Sequence, residues 1–158
     1  MLKKSSLAAT LLLLTMAMAA CVEAGQTYST YKSVGSEGWQ REDTVTITVG
    51  PVMHGGSYAE ELGLRTNSRY PFTELAMIVA QQARPSGFSR TDTLCVRLTD
   101  DSGYVTGEGI SHYQYLFPIP AAMLAEGDTL QVGIRHNMKR SPLAGVTDVG
   151  LTLKRSDL

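Results

Sequence analysis

Thr44-Val45-Thr46-Ile47-Thr48-Val49 is the segment of the sequence that decides the fold. Successive side chains of a β-strand point to opposite faces, so this strict alternation places the Val and Ile side chains on one face and the three threonines on the other. Gly50 and Pro51 follow directly, and both residue types end strands. The segment therefore predicts a half-buried strand whose hydroxyl face meets solvent.

The same alternation recurs in residues 94–98, 130–135 and 149–154. Turn-forming clusters separate the segments: Gly55-Gly56, Pro85-Ser86-Gly87, Asp101-Ser102-Gly103, Glu126-Gly127-Asp128 and Ser141-Pro142. Residues 75–80 are apolar throughout, which predicts a strand covered on both faces. Residues 120–125, Pro-Ala-Ala-Met-Leu-Ala, predict one short helix.

This spacing predicts an all-β protein of six to eight short strands. No helical segment is long enough to cross between parallel strands, so the strands are expected to pair antiparallel. Strands that recur at roughly 8–12-residue spacing are typical of a β-sandwich of jelly-roll or immunoglobulin-like type.

The N-terminus has the pattern of a bacterial lipoprotein signal. Lys3 and Lys4 precede residues 7–20, an apolar run that is shorter than the roughly 20 residues needed to span a bilayer. Small residues then precede Cys21, as in a lipobox, where the thiol takes a diacylglycerol and cleavage leaves that cysteine first. We expect a signal peptide at 1–20, a lipidated Cys21 with a tether at 21–30, and a single β-sandwich domain at 31–158. A conventional secretory signal is the alternative.

Lipidation of Cys21 would leave Cys95 without a partner in the chain, because the sequence has 2 cysteines. No intramolecular disulfide is then possible, and the fold must depend on its apolar core. Cys95 alternates with Leu94 and Val96, and it is expected to be a small apolar filler in the sheet.

Composition and motifs argue against several functional classes. The formal net charge of -1 gives no excess of cations for nucleic acid. His54, His112 and His136 stand far apart with no metal-ligand spacing, so no metal site is predicted and exposed or edge-strand positions are expected. The sequence has no nucleophile elbow and no phosphate-binding loop. No cofactor is therefore expected.

Two pairs of adjacent acids are the remaining candidates for catalysis. Glu60-Glu61 and Asp100-Asp101 have the residue types that glycoside hydrolysis uses. Adjacent residues of a strand point to opposite faces, however, and acids are common in turns for backbone reasons. We interpret both pairs as solvated loop charges and expect no enzymatic activity.

Aromatic side chains support one binding hypothesis. Trp39, Tyr104, Tyr113 and Tyr115 are candidate ligand-facing residues for a glycan or a peptide, together with Tyr70, Phe72 and Phe117. Tyr113, Tyr115 and Phe117 share one face by alternation, so they form either an exposed ledge or a stripe of the core. Large apolar faces are usually buried, which favours the core.

Several segments, in order, resemble the GldH family of gliding-motility lipoproteins. They are residues 64–75 (LRTNSRYPFTEL), 92–94 (DTL), 101–109 (DSGYVTGEG) and 134–151 (IRHNMKRSPLAGVTDVGL). The lipobox agrees with this resemblance independently.

The resemblance implies a place in the cell envelope of Bacteroidota, where such lipoproteins support gliding machinery linked to protein secretion. It further implies a scaffold or accessory role through envelope protein partners, with no catalytic residues. We expect attachment to the outer membrane rather than the inner membrane. The alternative function is that of a carbohydrate- or peptide-binding lipoprotein.

Overall fold

The computed structural model describes residues 27–156, and all of its regular elements are strands. They are β1 (Thr27–Ser33), β2 (Val45–Val49), β3 (Gly56–Asn67), β4 (Glu74–Arg84), β5 (Ser89–Arg97), β6 (His112–Leu124), β7 (Thr129–His136) and β8 (Val146–Arg155). The predicted signal peptide and Cys21 lie outside the described residues. β1 begins at Thr27, inside the stretch predicted as a tether.

Two four-stranded antiparallel sheets make up the described domain. One has the order β1-β8-β3-β6 and the other β2-β7-β4-β5. Each sheet alternates strands from the two halves of the chain, which is the double Greek-key arrangement of an eight-stranded jelly roll. The all-β sandwich is therefore confirmed, and of the two predicted types the strand order is that of the jelly roll.

The helix predicted at 120–125 is wrong, because these residues extend β6 and the adjoining turn. Met123 and Ala122 pair with Ser57 and Tyr58 of β3, so cross-strand hydrogen bonds outweigh a local helical preference. Pro118 and Pro120 are tolerated because β6 is an edge strand with no neighbour on its other side.

The core lies between the sheets and is supplied by the inward face of each strand. Ile47 and Val49 of β2 are buried as predicted. Residues 75–80 are a strand, but alternate positions are buried while Ala76 and Ile78 are half-exposed and Ala80 is exposed, so the prediction of cover on both faces is wrong.

An aromatic ring covers a glycine row on the outer face of the first sheet. Tyr31 pairs with Gly150, which pairs with Gly63 on the next strand. A Cβ at Gly63 would lie 2.4 Å from the Tyr31 hydroxyl oxygen, and one at Gly150 would lie 2.6 Å from the same ring. The Arg65 guanidinium stacks on the ring, 4.1 Å from its centroid. The ring thus shields backbone that glycine leaves bare.

The sandwich has two chemically different ends. The turn end comprises residues 50–55, 85–88 and 125–128 and the start of β1, since Thr27 pairs with Lys154 near the end of β8. The loop end comprises residues 34–44, 68–73, 98–111 and 137–145. The three connections longer than six residues therefore all lie at the end opposite the N-terminus of β1.

A candidate functional site at the loop end

A groove of about 350 Å³ opens at the loop end between residues 66–73, residues 98–105 and the start of β6. We call it the aromatic groove. Its aromatic lining consists of Tyr70, Phe72, Tyr113 and Tyr115, and Leu98 and Val105 add aliphatic surface. Thr66, Asn67, Thr73 and Thr99 supply neutral polar groups.

One wall of the aromatic groove is a tight turn after β3. The Tyr70 amide donates to the Asn67 carbonyl at 3.0 Å, and the Asn67 side-chain oxygen accepts from the Arg69 amide at 3.0 Å. The Tyr70 hydroxyl donates to the Glu74 carbonyl at 2.7 Å, and burial raises the pKa of this phenol. Phe72 meets the Tyr70 ring edge to face, with centroids 6.0 Å apart. Both rings of this wall are thereby fixed in orientation.

The opposite wall is a small hairpin at residues 98–106. The Asp100 side-chain oxygen accepts from the Ser102 and Tyr104 amides, both at 2.9 Å, and Gly103 takes φ +85°. The Thr106 amide donates a hydrogen bond to the Leu98 carbonyl at 3.0 Å, which closes the hairpin. The turn predicted at Asp101-Ser102-Gly103 is present as an Asx-type bend, with the Asp100 side chain as its acceptor. Asp100 and Asp101 are exposed turn acids, as predicted.

The aromatic groove contains an unused hydrogen-bonding atom. Thr99 Oγ1 is buried and has no hydrogen-bond partner within residues 27–156. The Tyr115 hydroxyl, by contrast, donates to the Leu98 carbonyl at 3.3 Å. Such orphaned hydroxyls are uncommon in folded proteins, and Thr99 is one of the residues that line the groove.

The structure brings together two of the four predicted ligand-facing aromatics. Tyr113 is half-buried and Tyr115 is buried in the floor of the aromatic groove, where Tyr115 stacks on Phe117 at 5.9 Å. This stripe packs against the core, which is the alternative that the usual burial of large apolar faces favoured. Tyr104 stands at the hairpin tip, 72% exposed.

Trp39 is one of the four candidate ligand-facing aromatics, and its burial contradicts that placement. The residue is 1% exposed, and its indole nitrogen donates to the Asp43 carbonyl at 3.0 Å. Its ring meets the His136 ring edge-on, with centroids 5.3 Å apart. The 34–44 and 137–145 loops fold over each other here, through the Trp39–Leu143 bridge, and bury the indole between them.

His136 is also placed differently from the expected exposed or edge position. It is fully buried in β7, an inner strand. The Met138 amide donates to His136 Nδ1 at 3.2 Å, so Nδ1 is the acceptor and Nε2 donates to the Trp39 carbonyl at 3.0 Å. Burial lowers the pKa of His136 below 6.5, and the nearby Arg41 lowers it further. The ring therefore stays neutral in the fold.

We expect this buried histidine to make stability depend on pH. Between the folded-state pKa and about 6.5 the unfolded chain binds more protons, so stability should fall as pH falls, by up to about 1.4 kcal/mol per pH unit. Urea unfolding at pH 7.5 and 5.5 measures the slope. His136→Gln should flatten it relative to the wild type, whereas His112→Gln, at an exposed site, should leave it unchanged. Equal slopes in both variants would contradict the assignment.

Glu60 was interpreted as a solvated loop charge, and that interpretation is wrong. Glu60 lies in β3 with its side chain fully buried, while Glu61 is exposed on the other face. Its Oε2 accepts from Gln81 Nε2 at 2.8 Å and from Arg90 Nη2 at 3.0 Å. Burial raises the pKa of Glu60, and the bonds from Gln81 and Arg90 oppose that rise.

Sequence reasoning missed this polar cluster between the two sheets. Arg90 also donates to Asp92 at 2.8 Å and to the Ala121 carbonyl at 2.8 Å, and so joins the edge strands β5 and β6. One residue in the sequence could have indicated a buried polar cluster: Gln81 is polar but stands at the same alternate positions as the apolar Val79 and Ala83.

Within residues 27–156 there is no group of three or more His, Cys, Asp or Glu side chains that could hold a metal ion.

Cys95, expected to be a small apolar filler in the sheet, is not packed under other residues. It is exposed on the outer face of β5 as a free thiol, and its Sγ lies 3.7 Å from a Glu74 carboxylate oxygen. Partial desolvation and the Glu74 charge raise the pKa of the thiol.

No helix in the described part of the chain is long and apolar enough to cross a bilayer.

Comparison with known proteins adds an independent finding. A family model described as GldH lipoprotein matches residues 26–153. The chain is 29% identical over 137 residues to the gliding motility lipoprotein GldH of Flavobacterium johnsoniae, covering 82% of this chain and 85% of the relative.

Solved structures give weaker likenesses. A CocE/NonD family hydrolase from Staphylococcus aureus aligns with TM-score 0.40 at 10% identity, over 86% of this chain but 34% of the hydrolase. The Eiger TNF of S. frugiperda aligns with TM-score 0.35 at 9% identity, over 83% of this chain and 93% of that protein.

Proposed function

Because the chain belongs to the GldH lipoprotein family, we propose that it serves as a non-catalytic scaffold or accessory component of a cell-surface motility and secretion assembly. Its family makes it a lipid-anchored protein of the cell envelope. In the proposal Cys21 carries the lipid, the outer membrane holds the anchor, and envelope proteins are the partners. Fractionation of the envelope checks the choice of membrane.

The observation that carries the proposal is the match of the family model, which spans β1 to β7 and all but the last two residues of β8. Exposed apolar side chains at the loop end support a role that depends on binding other proteins. Ile110 is 95% exposed, Tyr104 is 72% exposed and Val105 is 44% exposed, all on the 98–111 loop. Several large apolar side chains exposed on one loop are a feature of protein interaction sites.

Affinity recovery from gently solubilised envelope tests this role. We expect Ile110→Ser and Tyr104→Ser to reduce recovery of motility or secretion components severalfold, because they remove apolar contact area. Leu116→Ser is the matched control, since Leu116 is 49% exposed but lies on the outer face of β6. Equal recovery with all three variants would count against a partner at the loop end.

Cys21→Ser tests the anchor in the same preparation. The variant should leave the detergent phase, because it cannot carry the lipid. A variant that still partitions into detergent would exclude Cys21 as the lipidated residue.

The aromatic groove favours a second candidate, a glycan- or peptide-binding lipoprotein. Aromatic faces stack on sugar rings, and the neutral polar side chains of the lining offer hydrogen bonds without charge. Titration with a glycan array should show binding that Phe72→Ala weakens and Leu116→Ser does not. A protein that binds no glycan or peptide would exclude this candidate.

A further inference from the structure

We propose that the turn end of the sandwich rests on the phospholipid surface to which the protein is anchored, with Met53 and Met123 contacting the lipid interface. This proposal rests on lipidation of Cys21, which the proposed function includes. It assigns a membrane contact to the folded domain itself, and it places the loop end on the side that faces away from the membrane.

The first argument is the length of chain between the anchor and the fold. Six peptide steps separate Cys21 from Thr27, and a fully extended chain reaches about 20 Å over that distance. Thr27 lies at the turn end, paired with Lys154. The longer strands run about 40 Å from that end to the loop end, at about 3.3 Å per residue for the 12 residues of β3. The anchor therefore holds the turn end near the bilayer.

The second argument is what the turn end exposes. Met53 is 67% exposed in the 50–55 turn, and Met123 is 65% exposed near the end of β6. Both are at this end, since Ser57 pairs with Met123 directly after the 50–55 turn. A flexible thioether side chain suits a disordered apolar surface better than a fixed pocket.

Basic side chains accompany the two methionines. Arg84 ends β4, and Lys154 and Arg155 end β8. Their long stems allow the charged groups to reach lipid phosphates while the apolar side chains enter the interface. The three turns of this end contribute one exposed acid, Glu126, because Asp128 is buried.

The turn end is also built as a rigid unit. The Asp128 carboxylate accepts from the Ser86 amide at 2.9 Å and from the Ala125 amide at 2.8 Å, while its carbonyl accepts from the Val52 amide at 2.8 Å. Burial opposes ionisation of Asp128, but these hydrogen bonds prevail and lower its pKa. One residue thus ties the three turns together and holds Met53 in place.

The chain offers a matched pair of reporters for depth in the membrane. Cys95 is an exposed thiol near the loop end, two residues before the end of β5. Cys95→Ser combined with Glu126→Cys moves the label to an exposed position in the turn end without removing either methionine. The full-length lipidated protein, labelled with a small fluorophore at either site, is reconstituted into phosphatidylethanolamine and phosphatidylglycerol vesicles containing lipids with a nitroxide headgroup.

We expect headgroup quenching to be severalfold stronger at position 126 than at position 95. Met53→Ser with Met123→Ser should reduce the quenching at 126. Tyr104→Ser with Ile110→Ser, at the loop end, should not change it.

Three results would overturn the proposal, and flotation of the vesicles distinguishes them. Protein that floats with unquenched labels at both sites is held by its lipid anchor, but its turn end does not contact the bilayer. Protein that floats with equal quenching at both sites lies on its side. Protein that fails to float, like the Cys21→Ser reference, contradicts the anchor and the docking together.

Discussion

Gly145→Ala is expected to lower the free energy of unfolding by about 3–5 kcal/mol. Gly145 has φ +84°, and a Cβ there would lie 2.1 Å from the Tyr70 amide nitrogen. Because the crowded atoms belong to backbone, the turn after β3 has to move, and the hydrogen bond from the Asn67 amide to the Gly145 carbonyl at 2.8 Å is lost. Chemical denaturation of the purified domain measures the change.

Gly87→Ala is the matched control for this substitution. Gly87 has nearly the same dihedral, φ +82°, but nothing lies within 4 Å of its Cβ position. Only the conformational cost applies, about 1 kcal/mol. The difference between the two variants isolates the packing of Gly145 against the wall of the aromatic groove. Similar losses in both would show that the close approach to Tyr70 contributes nothing.

Arg90→Ala should be destabilising to a similar degree, by about 3–5 kcal/mol, because it strands a buried carboxylate. Glu60 has a fully buried side chain, and Arg90 is its cationic partner at 3.0 Å. Arg97→Ala is the control, since the Arg97–Asp101 pair is 57% and 92% exposed and should contribute less than about 1 kcal/mol. Equal losses would contradict the role given to Arg90.

Two further measurements test whether the unpaired Glu60 carboxylate causes the loss of stability in Arg90→Ala. Glu60→Gln added to Arg90→Ala should recover much of the stability, because it removes that charge. Arg90 opposes the rise that burial causes in the pKa of Glu60, so Arg90→Ala raises that pKa further and the folded variant takes up a proton at higher pH than the folded wild type does. Its stability deficit should therefore shrink as the pH is lowered from 8 to 5.

The local alternation of apolar and polar residues was sufficient to predict strands in which the apolar positions are the buried ones. The alternation of residues 44–49 predicted β2, and the apolar positions of β7 and β8 are buried in the same way. It failed at residues 120–125, where pairing with β3 decides the conformation. It also failed at Glu60, because the burial of one acid depends on Arg90, which comes from the opposite sheet 30 residues away.

The candidate site was predictable only in part. Tyr113 and Tyr115 were identified because their spacing places them on one face of a strand. Trp39 was misplaced because burial of its ring depends on the 137–145 loop, about 100 residues further along the chain. The hairpin at 98–106 and the turn at 67–70 meet only through the sheet order, which no local segment specifies.

The sequence by itself determined the β class, the antiparallel pairing and the family, because alternation, turn residues and motif order are local properties of the chain. Tertiary structure alone decided the jelly-roll order, the buried Glu60–Arg90 pair and the aromatic groove. It alone also set the positions of the two ends, with the start of β1 beside Met53 and Met123 and the long loops opposite. These features depend on contacts between residues far apart in sequence, whose geometry the packing of two sheets imposes.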